Sequence, residues 1–331
     1  MTLADWSLYA FYAGALTLLL AFVLHVAHVT VLAMRARLSG ATGLAGAGAG
    51  GGAGSAAMTL GGPGGSMVGR PVAWAGSGAS IGRKPSGDLG DEATTPGDIG
   101  TAFAWVALLL MVVSMLIRAY IVGRGPWGNM YEFSIAFGVG ITAGYLLLQR
   151  RYPIRAIGFL PLGMALFLIG YAITLPADIE PLVPALDHAP LLTIHVAMAM
   201  ISYGIFATSF GAAVGYLVQG PNDRVRWLPR AKVLDEVAYR AVIIGFPIFA
   251  TLIILGSWWA AIAWGRYWGW DPKETSALVT WLIYAVYLHA RNQRGWAGRP
   301  SALILVVGFG AVLFTYFGNL FFDGLHSYSG L

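Results

Sequence analysis

The chain has no cysteine. That excludes thiolate metal sites, disulfides and thiol redox chemistry on this polypeptide, so any thiol in its reaction belongs to a partner. Charge is scarce as well. Only 11% of the 331 residues are charged, against about 25% in an ordinary soluble domain. The net charge of +5 does not point to nucleic acid, because the basic residues sit in short loops between apolar runs rather than in one stripe. No signal-peptide cleavage site is evident. The first apolar run is long and ends in Arg35 and Arg37, which predicts a retained helix.

What the chain has in abundance is apolar sequence, with 57% hydrophobic residues. The runs predict an all-α integral membrane protein, a bundle of about eight transmembrane helices. The first span covers roughly 6–34 and carries His25 and His28. Residues 38–100 are rich in Gly, Ala and Ser and cannot bury enough apolar surface to fold, so they read as a flexible linker. Seven further spans follow within 101–331, near 102–122, 131–148, 154–175, 191–218, 237–263, 272–290 and 302–322. Each is long enough for about 30 Å of hydrocarbon at 1.5 Å per residue.

The loops set the orientation. Arg35 and Arg37 follow the first span, and Arg150, Arg151 and Arg155 the third. Arg224, Arg226, Arg230 and Lys232 follow the fifth, and Arg291, Arg294 and Arg299 the seventh. All four clusters fall on one side, which the charge rule assigns to the cytoplasm. Both termini are then outside. So are the loops at 123–130, 176–190 and 264–274.

The last of these loops, Trp264 to Glu274, reads WGRYWGWDPKE. Trp264, Trp268 and Trp270 cluster within it, and Gly265 and Gly269 keep it from being helix interior. Arg266 and Lys273 add two cations. Asp271 is placed to cap a helix, Pro272 suits its first position, and Glu274 completes a capping box. An interfacial aromatic belt would also concentrate tryptophan. The glycines, cations and capped aspartate favour instead an aromatic shelf for a flat dianionic ligand, with indoles against its face and cations at its carboxylates. A second outer segment, Gly128 to Ser134, reads GNMYEFS. Asn129 is a candidate cap there, and Glu132 is an acid that a membrane edge tolerates only when functional or paired.

The run WGRYWGWDPKE resembles the tryptophan-rich WWD signature of haem-handling proteins in cytochrome c maturation. Residues 101–331 look most like the CcsA/ResC type, the integral-membrane subunit of the System II cytochrome c synthase. GNMYEFS is similar to that family's Asn-x-Tyr-Glu-Ser segment, with Phe133 in place of Ser. The resemblance implies that Trp264, Trp268, Trp270, Asp271, Arg266 and Lys273 contact haem b.

Six histidines are candidates for its iron, since neutral imidazole is a natural haem ligand. His195 and His326 share the outer level of the tryptophan loop and lie near helix ends. The resemblance implies that they are the axial ligands of externally presented haem. His289 lies 17 residues beyond Pro272, about 26 Å down the helix by its rise. It matches the family's histidine implicated in holding haem within the membrane. His25, at similar depth, is a tentative second ligand there, although in related fused proteins that ligand comes from the partner portion. His188, in an outer loop, matches no family position and reads as an exposed loop residue.

The expected function is a haem-handling and exporting subunit that presents haem on the outer face for thioether attachment to the CxxCH motif of an apocytochrome c. Its expected partner is a CcsB/ResB-type membrane subunit, in a bacterial plasma membrane or a thylakoid-type membrane. The alternatives are a haem exporter without ligation activity, a System I-type haem lyase, and a small-molecule transporter with an aromatic gate.

Overall fold

The computed structural model describes residues 1–47, 89–90, 92–179, 189–293, 295–318 and 321–326, with side chains in the first helix described to Ser39. His188, Arg294 and most of the Gly/Ala/Ser-rich stretch lie outside the described residues. Those residues form eight α-helices and no strand: α1 Leu3–Ala47, α2 Thr95–Val122, α3 Met130–Gln149, α4 Phe159–Ile173, α5 Ala189–Gln219, α6 Ala231–Trp264, α7 Pro272–Arg291 and α8 Arg299–Phe317. The all-α expectation holds.

Seven of these helices are long and apolar enough to cross a membrane, with α7 the exception. The chain is an integral membrane protein. The sequence of α7 is diluted by its inward stripe of Ser276, Thr280, Tyr284 and Tyr287. At 20 residues it still reaches about 30 Å. The largest departures from the expected boundaries flank the Gly/Ala/Ser-rich stretch. α1 runs on to Ala47, and α2 starts at Thr95, because the Thr94 side chain accepts the Gly97 amide at 3.2 Å and a proline occupies the first turn. Local capping chemistry therefore claims the last residues of the stretch read as linker.

α5 is the centre of the bundle, packed against α3, α4, α6 and α8. α1 and α2 pair on one flank, with α1 also on α4 and α2 on α3, while α7 bridges α6 and α8. The α3–α5 contact is unusually close. A Cβ on Gly204 would lie 2.1 Å from the Gly140 carbonyl oxygen, and one on Gly140 would lie 2.3 Å from that of Met200. Backbones come this near only where small residues meet, and in lipid such contact supplies van der Waals packing that hydrophobicity does not.

The two ends differ in character. The loops after α1, α3, α5 and α7 share one end, where Arg35 meets Glu92 (3.2 Å), Arg155 meets Asp98 (2.7 Å) and Arg291 grips Asp235 through two bonds of 2.7 and 2.6 Å. The tryptophan loop, the α2–α3 loop and the residues after α8 share the other, and a cleft opens there.

Candidate functional site

The cleft is built from four parts of the chain. Its wall includes Trp127 and Asn129 from the α2–α3 loop, Phe133 of α3, and His195 and Tyr203 of α5. Trp259, Trp264 and Trp268 come from the end of α6 and the loop beyond it, Lys273 and Glu274 from the start of α7, and His326 from the tail. The space between these walls, about 1060 Å³ with the solvent at its open mouth included, is bordered by aromatic side chains, two histidines and one lysine.

The loop carrying the three tryptophans is set by local chemistry. α6 ends at Trp264 because Gly265 takes a left-handed conformation, φ 71°, a common helix stop. α7 then begins with the expected capping box. Asp271 Oδ1 accepts the Lys273 amide at 2.9 Å, and Glu274 Oε2 accepts the amides of Asp271 and Gly269 at 3.2 and 2.8 Å. Trp270 is the odd member of the loop. Its φ is 57°, in a region that costs a non-glycine residue about 1 kcal/mol or more. It is 70% exposed and faces Trp268 edge-on at 5.9 Å rather than lining the cleft. Arg266 is likewise exposed, with its guanidinium beside Gly269.

Asp271 does more than cap. Its Oδ1 also accepts the His326 Nδ1–H at 2.8 Å, and its Oδ2 accepts the Leu325 amide at 2.5 Å. One carboxylate thus starts α7 and ties down the tail after α8. Burial works to raise this carboxyl, but the hydrogen bonds from His326 and from the Lys273 and Leu325 amides outweigh it and hold it below the ordinary carboxylate value. Burial in turn holds the His326 imidazole below its ordinary value, with Asp271 pulling the other way. His326 is therefore neutral at pH 7. With Nδ1–H committed to Asp271, the lone pair is on Nε2, the second-shell arrangement that prepares a histidine for metal. Its ring stands edge-on to Trp264, with centroids 4.9 Å apart.

His195 is prepared in the same way. Its Nδ1–H donates to the Leu252 carbonyl oxygen at 2.9 Å, which again leaves the lone pair on Nε2. α5 and α6 meet so closely here that a Cβ on Gly256 would stand 2.5 Å from His195 Cε1. The glycine makes the room for the ring. The structure brings His195 and His326 to one cleft, although 131 positions separate them in the sequence.

Glu132 is buried and fully partnered. Arg118 Nε donates to its Oε1 at 2.5 Å, while Arg124 (3.2 Å) and the Gly128 amide (2.6 Å) donate to Oε2. Arg118 also donates to the carbonyls of Ala177 and Asp178, each at 2.8 Å. Asn129 caps α3 through the Glu132 amide, as expected. The cluster fixes the loop that carries Trp127 into the cleft, so Glu132 acts through position rather than contact.

The other described histidines lie apart from the cleft. His289 is exposed on α7. His25 is fully buried, with Nδ1 at the Ala21 carbonyl (2.8 Å) and Nε2 at the Tyr145 hydroxyl (3.1 Å). His28, also fully buried, bonds Thr94 Oγ1 through Nδ1 at 2.7 Å.

Trp127, Trp259 and Gly256 escaped the sequence reading. Trp127 stands immediately before the GNMYEFS segment, and Trp259 is five residues before Trp264, so proximity to the motifs was the available signal. Nothing local marks Gly256, because its role is visible only across the α5–α6 contact.

Residues 127–326 match the family model described as cytochrome C assembly protein. That match begins at Trp127 and ends at His326, the first and last residues lining the cleft. Similar relatives include the cytochrome c biogenesis protein CcsA of Synechococcus elongatus, 36% identical over 70% of this chain and 87% of its own length. CcsA of Gloeothece citriformis is 32% identical over 70% and 87%, and that of Mesostigma viride 35% identical over 70% and 85%. The chain belongs to the cytochrome c assembly protein family.

Proposed function

We propose that this chain is the haem-handling subunit of a cytochrome c synthase and presents haem in the cleft on the outer face of the membrane. The observation that carries the reading is the histidine pair. His195 and His326 line one aromatic cleft, and each has its Nδ1–H taken up by a fixed acceptor, so that each Nε2 is the basic nitrogen. Two such imidazoles are a bis-axial set for haem iron. Trp264 and Trp268 supply aromatic surface for the macrocycle. Trp270 and Arg266 lie outside the cleft lining, on exposed surface where an incoming protein would meet them.

The substrate is haem b. The acceptor is an apocytochrome c bearing CxxCH, and a CcsB/ResB-type membrane subunit completes the complex. In thioether formation each cysteine S–H adds across a haem vinyl group. The S–H bond and the C=C π bond are lost, one C–S and one C–H bond form, and no net redox change occurs. This chain contributes position and iron ligation, and the absence of cysteine from it leaves the substrate thiols without an internal competitor. The four basic clusters at the opposite end of the bundle support a cleft on the non-cytoplasmic side. His289 is exposed on α7, which suits a ligand completed by another subunit for haem held within the membrane.

The test is replacement of each axial histidine by glycine in a strain that reports cytochrome c by haem staining. His195→Gly and His326→Gly each abolish maturation, and millimolar imidazole, which fills the vacated coordination position, restores part of it. Normal maturation in either variant at wild-type protein levels rules the pair out. Haem bound by the purified chain with no cytochrome matured in a reconstituted strain identifies an exporter without ligation activity.

A further inference from the structure

The two histidines of the cleft are alike in chemistry and unlike in what carries them. His195 belongs to the wall. It stands within α5, and its Nδ1–H donates to the Leu252 carbonyl of α6 at 2.9 Å. A Cβ on Gly256, one turn further along α6, would come within 2.5 Å of its Cε1. The ring is thus held against α6 backbone at two places, and it cannot withdraw unless two packed helices part. His326 belongs to the tail after α8, which ends at Phe317. Its Nδ1–H donates to Asp271 Oδ1 at 2.8 Å, and the amide of its neighbour Leu325 donates to Oδ2 of the same carboxylate. One side chain of α7 therefore clasps this part of the tail.

The clasp can open without dismantling the helix it is fastened to. Asp271 Oδ1 also accepts the Lys273 amide at 2.9 Å, and Glu274 Oε2 accepts the Asp271 amide at 3.2 Å. The start of α7 keeps both bonds when His326 lets go. The ring itself rests against aromatic surface, with Trp264 edge-on at 4.9 Å and Trp259 at 6.0 Å between centroids.

Coordination chemistry requires one of the two to leave. Iron in a porphyrin with two axial imidazoles has no further position. A CxxCH segment carries a third imidazole beside its second cysteine. For that imidazole to reach the iron, one Fe–N bond to this chain breaks as the new one forms. One neutral ligand replaces another, with no transfer of electrons or protons. Two effects oppose each other in the choice. A carboxylate partner makes His326 the more basic ligand, an advantage of about tenfold to a hundredfold for such outer contacts. Mobility acts the other way, and it decides, because His195 has no second position short of separating α5 from α6.

We infer that His326 is the exchangeable axial ligand and His195 the permanent one. This rests on the haem reading above and adds an order of events to it. The substrate histidine takes the position that the tail gives up, and His195 keeps the macrocycle in the cleft while the thioethers form. Asp271 is the positioning residue that holds the tail closed until then.

The experiment uses the full chain in detergent, loaded with haem. Its probe is a CxxCH peptide with both cysteines replaced by serine, so that ligands exchange and no thioether forms. The same peptide with alanine in place of its histidine is the control. In His326→Gly the peptide restores the bis-histidine absorption spectrum and the control does not. In His195→Gly the peptide leaves the spectrum unchanged. Free imidazole, small enough to enter either vacancy, restores it in both variants and reports that both are folded. A third arm keeps both ligands. The chain has no cysteine, so Leu325→Cys gives the tail a single thiol. Maleimide labels it about tenfold faster when the peptide is saturating, and no faster with the control. Restoration by the peptide in His195→Gly alone, or equally in both glycine variants, overturns the assignment. So does a labelling rate that the peptide leaves unchanged. Failure of wild type to bind haem at all removes the haem reading, and the exchange with it.

Discussion

Two pairs of histidines sit in this bundle, and they have opposite surroundings. His25 and His28, on α1, are enclosed. A Cβ on Gly100 would stand 2.9 Å from His25 Nδ1, one on Gly97 2.7 Å from His28 Nδ1, and one on Gly158 2.6 Å from His25 Cδ2. The rings fill space that neighbouring glycines vacate, and His25 commits both nitrogens to protein partners. His195 and His326 also have Nδ1 fixed, but their rings border a cleft. The comparison teaches that burial and hydrogen bonding do not distinguish a structural histidine from a ligand. What distinguishes them here is that one pair lines a cleft while the other is enclosed by packed protein.

Moving one pair toward the condition of the other should give the largest effect. Gly256→Val puts a side chain where His195 now stands, so haem retention is lost while the protein still accumulates in the membrane. The matching change on the enclosed pair, Gly100→Ala, presses on His25 and costs stability instead, about 1–3 kcal/mol for an overpacked contact. Haem bound per folded molecule stays at the wild-type level there. Thermal unfolding and haem content, measured on both variants, sharpen the contrast. Haem loss in Gly100→Ala at normal stability would erase it.

A smaller effect is expected from loosening a cleft histidine without removing it. Asp271→Asn keeps the shape but no longer offers a carboxylate to His326 Nδ1–H. Haem affinity should fall tenfold to a hundredfold, as for other second-shell changes. The same contact has a pH dependence. The His326 value is depressed below the ordinary 6.5, so the released tail binds a proton more readily than the docked one. Docking is fully favoured above about 6.5 and weakens as pH falls through that value toward the docked one. The bis-histidine spectrum should therefore fade as pH falls below about 6.5. Asp271, held below the ordinary carboxylate value, stays ionised down to pH 5 and contributes no slope there. A spectrum constant down to pH 5 would remove His326 from the titration.

The smallest effect separates the tryptophans. Trp264→Ala deletes the edge contact to His326, worth about 0.5–1.5 kcal/mol, and haem retention drops severalfold. Trp270→Ala, at a position 70% exposed, changes haem retention less. Any loss of maturation it causes should appear in the encounter with apocytochrome. Equal haem loss in the two variants would place Trp270 inside the working cleft after all.

Much of this was legible without coordinates, and the reason is locality. The spans are long apolar runs. The starts of α3 and α7 are written in short patterns, Asn129 with Glu132 and Asp271 with Glu274, in which each cap sits three residues from its partner. The tryptophan loop announces itself by composition. Roles that depend on distant contacts were not legible. Glu132 was readable only as functional or paired, and the pairing residue, Arg118, lies a helix away on α2. Trp270 and Trp264 look alike in the sequence, yet a left-handed residue and a helix end point them to different places.

The sequence by itself therefore determined an all-helical membrane bundle, the gathering of basic residues in the loops at one of its ends, and a capped aromatic loop, because hydrophobic length, charge placement and capping act over a few residues. Only the tertiary structure decided that Asp271 holds His326 across 55 positions, that Gly256 seats His195, and that Trp127, Lys273 and His326 line one cleft. Those arrangements come from how α5, α6, α7 and the tail pack against one another, and no short-range pattern specifies them.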